Sequence, residues 1–127
     1  MADISFNKIF NFYNEVPLSE ELKPFISEKE NVCFCVKTFR DIAVFTDKRI
    51  LVADKQGITG KKIEYYSIPY KSIITYAVET AGIFDFDSEI KLLISGGIKI
   101  ELKFLKDKNM GQLLFKVYHL LNDFVIV

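Results

Sequence analysis

Residues 90–104 read IKLLISGGIKIELKF. Ile90, Leu92 and Ile94 share one face of a period-two pattern. Gly96-Gly97 offers the positive-φ residues of a tight turn, and Ile98, Ile100, Leu102 and Phe104 then alternate strictly with Lys99, Glu101 and Lys103. The spacing predicts an antiparallel hairpin with one buried face and one wet face.

Upstream the same period recurs. Val32, Phe34 and Val36 alternate with Cys33, Cys35 and Lys37; a turn at Arg40-Asp41 leads to a short strand over Ile42–Thr46, and Asp47-Lys48 turns the chain into Arg49–Asp54. A wider turn from Lys55 to Lys61 holds Gly57 and Gly60. Lys62–Ile68 makes a fourth strand, stopped by Pro69, which cannot donate to a central ladder. Ile73–Thr80 makes a fifth, with Ile74, Tyr76 and Val78 on one face. With the terminal hairpin these give seven antiparallel strands between residues 30 and 105.

Downstream the period becomes 3.6. Met110, Leu113, Leu114, Val117, Tyr118, Leu121, Phe124 and Val125 form an apolar stripe, with Asp107 placed as N-cap, so residues 107–125 read as one amphipathic helix. Residues 1–28 read as a helical appendage in two pieces. Phe6, Ile9, Phe10 and Tyr13 sit at helical spacing until Pro17 interrupts, and Ser19 then caps a short helix carrying Leu22, Phe25 and Ile26. The expected fold is mainly β (α+β): a seven-stranded barrel or sandwich closed by the C-terminal helix.

The length of 127 residues suits one domain, and a composition half hydrophobic with twelve Phe is globular. Lys plus Arg equals Asp plus Glu, so no global field draws the chain to nucleic acid or an anionic membrane, and any charged partner must be read by a local patch. No apolar stretch reaches spanning length and the N-terminus lacks a signal-peptide core, which makes a cytoplasmic location the expectation. Cys33 and Cys35 lie two apart in a strand without the paired spacing of a zinc or redox site, and read as reduced structural thiols.

Asp41–Ser95 closely resembles the bacterial pleckstrin-homology-like domain family. The resemblance is carried by FTDKRILVADKQGITGKK from Phe45, YYSIPYKSI ending at Ile73, and VETAGIFDFDSE over Val78–Glu89. It implies the pleckstrin-homology barrel, a bacterial cytoplasmic setting and ring-like homo-oligomers, and carries no established ligand.

Enzymatic constellations are scarce. His119 is the only histidine and has no convergent partner; Gly57–Lys62 has its glycines too close for a phosphate loop and enters a strand, not a helix. No enzyme, cofactor or metal site is expected. Lys55, Lys61 and Lys62 are candidate anion-binding residues for a lipid head group at a membrane surface or a phosphorylated ligand, while Lys48 and Arg49 fall at the opposite end of the meander. Lys37–Asp41, the counterpart of the phosphoinositide motif of eukaryotic pleckstrin-homology domains, is a tight turn with two bases and an acid. Ile83, Phe84 and Phe86 in the loop TAGIFDFD, with Phe115 and Leu120 off the helix stripe, are candidate contacts for another copy or a protein partner. Self-association and protein binding are the expected activity, with no nucleic acid.

Overall fold

The computed structural model describes residues 7–59, 61–80, 88–104 and 110–126. Eight strands run through one sheet: β1 (Asn7–Val16), β2 (Val32–Thr38), β3 (Ile42–Thr46), β4 (Arg49–Gln56), β5 (Lys62–Pro69), β6 (Ile73–Glu79), β7 (Ser88–Ile94) and β8 (Ile98–Phe104). They are ordered β5-β4-β3-β2-β1-β8-β7-β6, so the sheet curls into a half-barrel in which β5 and β6 are the edges, unpaired with each other among the described residues. One helix, α1 (Met110–Phe124), packs into the curl.

Among the described residues the expected N-terminal helices are absent, and β1 is the eighth strand. Ile9, Phe10 and Tyr13 satisfy a helical stripe, whereas in the strand Phe10 and Phe12 share the buried face and Ile9 stands on the other, 53% exposed. What decides is Phe12, which lies off the helical stripe and is fully buried. Asn7, Asn11 and Asn14 also weaken a helix here. The second expected helix shrinks to a single 3-10 turn at Lys23–Phe25, because Pro24 is tolerated in a first turn but not in the interior of a helix begun at Ser19. Its apolar residues pack nonetheless: Leu22 is buried and Phe25 stacks on Tyr65 with ring centroids 3.9 Å apart.

β1 joins the two halves of the sheet. Asn7–Phe12 runs parallel to β8, the one parallel pair in an otherwise antiparallel ladder, and residues 12–16 pair antiparallel with β2 after a register irregularity between Phe12 and Glu15. Phe12 therefore pairs with both Phe104 and Thr38, and its ring makes edge contacts with Phe45 at 5.7 Å and Phe104 at 5.5 Å.

The main core fills the concave face, with Phe45, Val52, Ile90, Leu102, Val117 and Leu121 among its residues. A second cluster lies on the convex face of β2–β5, where Leu22 from the β1–β2 loop covers Cys35, Val44, Leu51 and Ala53. Covering on both faces explains why IAVFT and ILVA are continuously apolar instead of alternating. Cys35 is thus a buried thiol, whereas Cys33 is exposed; neither forms a disulfide.

The last hairpin matches its sequence, with Gly96 and Gly97 at φ +94° and +85°. β6 departs from its expected facing. A register irregularity between Ile73 and Thr75 turns Ile74 outward, 62% exposed, while Ile73, Tyr76 and Val78 meet the core. Asp107 lies outside the described residues.

Phe12→Ala is expected to cost about 3–5 kcal/mol, the upper range for a buried aromatic. It should lower the denaturant midpoint far more than Tyr13→Ala, whose side chain sits on the other face, and equal losses would exclude the role of Phe12 at the junction.

Candidate functional site

The two ends of the β3–β4–β5 meander differ in chemistry. At the end where β3 turns into β4, Thr46 is buried and its hydroxyl oxygen accepts from the amides of Lys48 at 3.0 Å and Arg49 at 3.1 Å while donating to Glu30 Oε2 at 2.8 Å. The Asp47 carboxylate accepts from the Asn31 amide at 2.8 Å. Arg49 donates to Glu30 Oε1 at 2.7 Å, to Ser67 Oγ at 2.9 Å and to the Phe25 carbonyl at 2.5 Å. Tyr70 Oη donates to the Thr46 carbonyl at 2.7 Å. The stretch Thr46-Asp47-Lys48-Arg49 is therefore a turn that pins the β1–β2 loop and the β5–β6 corner to the sheet.

Burial alone would raise the Glu30 carboxyl, but the hydrogen bonds from Arg49, the Ser27 amide and Thr46 outweigh it and hold the pKa at about 2. Burial pushes the Tyr70 hydroxyl well above its ordinary value. Beside this network opens a cleft of about 580 Å³ lined by Lys48, Lys71, Pro69, Tyr70 and Phe124. Its ionised pair is fully engaged within the protein, so the cleft offers structural rigidity more than a reactive group.

At the opposite end the β2–β3 and β4–β5 hairpins turn side by side. Lys55 pairs with Ile63 and Gln56 with Lys62, so Lys55, Lys61 and Lys62 gather here, away from Lys48 and Arg49 as expected. Arg40 joins them: its guanidinium donates to the Gly57 carbonyl at 2.5 Å and ties the two tips together. Gly57 has φ +74°, a conformation that favours glycine. None of Lys37, Arg40, Lys55, Lys61 and Lys62 forms an ion pair among the described residues.

Ile83, Phe84 and Phe86 lie outside the described residues. Phe115 stands on the outer face of α1, 57% exposed, whereas Leu120, likewise expected off the buried stripe, is 6% exposed and belongs to the core. Leu120 lies about 60° from the centre of the buried arc on a 3.6-residue helix, and the curl of the sheet is deep enough to reach it. His119 has the rings of Phe115 and Tyr118 as neighbours, with centroids 6.5 Å and 6.4 Å away. Periodicity gives no prominence to Phe39 and Ile58, the bare apolar residues at the two hairpin tips. Their signal in the sequence is a large apolar residue inside each turn, where polar residues usually stand. Among the described residues, no helix is long and apolar enough to cross a membrane and no cluster of acidic, histidine or cysteine side chains could hold a metal.

The curled sheet with its single C-terminal helix has counterparts among known proteins. The family model described as bacterial PH domain matches residues 3–125. This chain belongs to the bacterial pleckstrin-homology domain family. It is 52% identical over 95 residues to the uncharacterized protein YjqA of Bacillus subtilis, covering 73% of this chain and 76% of that one. A crystal structure of a DUF1696 family protein with a pleckstrin-homology domain from Shewanella loihica is similar at TM-score 0.73 and 39% identity, over 88% of this chain and 96% of that one. A pleckstrin-homology domain from Shewanella amazonensis superposes at TM-score 0.65 with 39% identity, over 83% and 82% of the two chains. The bacterial pleckstrin-homology assignment thus agrees with the resemblance seen in the sequence, while the strand count is eight.

The pinned turn predicts a pH dependence. Glu30 has a lower pKa folded than its ordinary 4.5, so its contribution is fully present above the ordinary value and is lost as pH falls toward 2. The loss is at most about 3 kcal/mol. Glu30→Gln should remove this component, so that the stability gap between wild type and variant narrows from about pH 5 down to pH 2; a gap that stays constant would show that Glu30 is not held ionised.

Proposed function

We propose that the protein is a non-catalytic module that acts by associating with further copies of itself in a ring and by binding protein. The observation that carries this is the unguarded edge of β6. Each free edge presents unpaired amides and carbonyls, and such edges are usually protected by charge or proline. β5 carries that protection in Lys62, Glu64 and Pro69; β6, IITYAVE, has neither Lys nor Pro, its one charge is Glu79 at the strand end, paired with Lys91 at 2.7 Å, and its Ile74 is bare. The outer face of α1 adds a second apolar surface at Phe115. A closed ring needs two different complementary patches per copy, and an edge plus a helix face meets that requirement. The absence of a catalytic role is supported by the internal engagement of Glu30, Arg49, Thr46 and Tyr70 and by the aromatic setting of His119.

A second reading has its own observation. The convergence of Arg40, Lys55, Lys61 and Lys62 at the hairpin end, tied by the Arg40 bond to Gly57, favours a site for an anionic lipid head group or phosphorylated ligand in a cytoplasmic protein.

Light scattering at tens of micromolar should give a mass of several chains. Thr75→Lys, which places a charge on the free edge, should reduce that mass to one chain without lowering the melting temperature by more than a few degrees. A monomeric wild type, or an assembly indifferent to charges at both Thr75 and Phe115, would remove the self-association reading.

A further inference from the structure

The cleft beside the Glu30–Arg49 pair lies where the β3–β4 turn, the β5–β6 corner and the end of α1 meet. The Tyr70 amide donates to the Lys48 carbonyl at 3.1 Å, so turn and corner are tied backbone to backbone. Lys71 follows Tyr70, and both lysines are exposed, so the two cations rise from one fixed junction. On the helix side the ring of Phe124 stacks on that of Tyr70, with centroids 5.5 Å apart and planes 13° from parallel. Pro69 lines the same cleft.

The charged side chains lining the cleft are Glu30, Asp47, Lys48, Arg49 and Lys71. Glu30 and Arg49 neutralise each other at 2.7 Å, and Glu30 accepts further bonds from the Ser27 amide and the Thr46 hydroxyl. Asp47 accepts from the Asn31 amide at 2.8 Å and from Asn31 Nδ2 at 3.4 Å. Neither lysine forms an ion pair among the described residues. Two ammonium groups therefore face one carboxylate that already has a partner, and the local balance is positive on a chain of zero net charge. The cleft, about 580 Å³, is large enough for a small organic molecule.

We propose that this cleft binds a carboxylate carrying an aromatic body, with the carboxylate between the Lys48 and Lys71 ammonium groups and the body against Phe124, Tyr70 and Pro69. The polarity of the helix sets this orientation: the last carbonyls of α1 carry the negative end of its dipole, which disfavours an anion beside Phe124 and favours one at the turns. Arg49 has the forked donor that phosphate recognition uses, but it is committed to Glu30, Ser67 and the Phe25 carbonyl, so only two point charges are left for a ligand. A bare inorganic anion would leave the aromatic wall in water. An uncharged ligand would gain nothing from the lysines. The same chemistry occurs in a free aromatic acid and in the last residue of a peptide. Lys55, Lys61 and Lys62 lie at the other end of the meander, so this site is separate from the hairpin end.

Titration of the isotope-labelled full chain, followed through its amide resonances, tests the site. Phenylpropionate should move the signals of Lys48, Arg49, Tyr70 and Lys71 with a Kd below about 1 mM, and phenylpropionamide, the same body without the charge, should bind at least about tenfold more weakly. Lys48→Gln and Lys71→Gln should each weaken the acid about threefold and together about tenfold, with melting temperatures unchanged because both side chains are exposed. Phe124→Leu, which keeps an apolar side chain but removes the ring, should weaken it about threefold. Lys99→Gln, on β8, should change nothing. N-acetylphenylalanine stands in for the end of a peptide: tighter binding than phenylpropionate assigns the site to a peptide C-terminus, weaker binding to a free acid. The proposal is overturned if the amide binds as well as the acid or if the double lysine variant binds as wild type does. It is overturned equally if inorganic phosphate moves the same signals as far, or if neither acid moves them at about 5 mM.

Discussion

The junction made by β1 is the constraint on which the remaining architecture depends. A curled sheet of two halves must be joined by a strand that serves both, and β1 does so by pairing with β8 over Asn7–Phe12 and with β2 over residues 12–16. The change of partner occurs at Phe12, where the ladder also loses its regular register. A backbone irregularity there leaves hydrogen bonds unmade, and burial of an aromatic ring against Phe45 and Phe104 offsets that loss. With the junction formed, α1 can lie in the curl and bury Leu113, Leu114, Val117, Leu120 and Leu121 against both halves. Without it the two halves would each be a small antiparallel sheet with an uncovered face.

A second layer of order comes from the loop between β1 and β2. It crosses the convex face of β2–β5 and is fastened at both ends: Leu22 is buried over Leu51 and Val44, and Glu30 is locked to Arg49 and Thr46. The charged pair and the apolar patch act on the same segment. Since a partly buried pair gives modest net stability, its more important effect is geometric: it fixes the β3–β4 turn in one conformation. β3 and β4 themselves are covered on both faces over Ala43–Thr46 and Ile50–Ala53, and their covering ends before the hairpin tip at Gln56.

The β pattern is legible because period two is unambiguous wherever one face is wet, as in Ile98–Phe104, where lysine and glutamate mark every outward position. It blurs where both faces are dry. IAVFT and ILVA signal an outer cover, and Leu22, Phe25 and Ile26 are the covering residues, yet their spacing also suits a helix that Pro24 forbids. The N-terminal strand resists local reading because Ile9, Phe10 and Tyr13 make a helical stripe while only Phe10 and Phe12 mark the strand's buried face; the partner strand β8, about ninety residues away, decides between them, and local spacing carries no such information. Leu120 illustrates the same limit on a helix, since the width of the buried arc depends on how deeply the sheet wraps it. On the hairpin end, the separation of Lys55, Lys61 and Lys62 from Lys48 and Arg49 follows from counting turns. The contribution of Arg40 does not, because it depends on two hairpins lying side by side.

The placement of the two outer surfaces bears on how they would work together. The β6 edge and the hairpin end are carried by different parts of the half-barrel, the former beside β7 and the latter on β2–β5. Pairing along one therefore leaves the other open. Copies associated through β6 would carry several hairpin ends on one body, and each additional end in contact with a surface binds at an effective concentration set by its neighbours and not by solution. A weak contact at a few cations on a chain of zero net charge would then depend on assembly. On that proposal, such a surface would be held by an assembly and released by a single chain, and a neutral overall charge would keep the isolated domain from indiscriminate adhesion to anionic polymers.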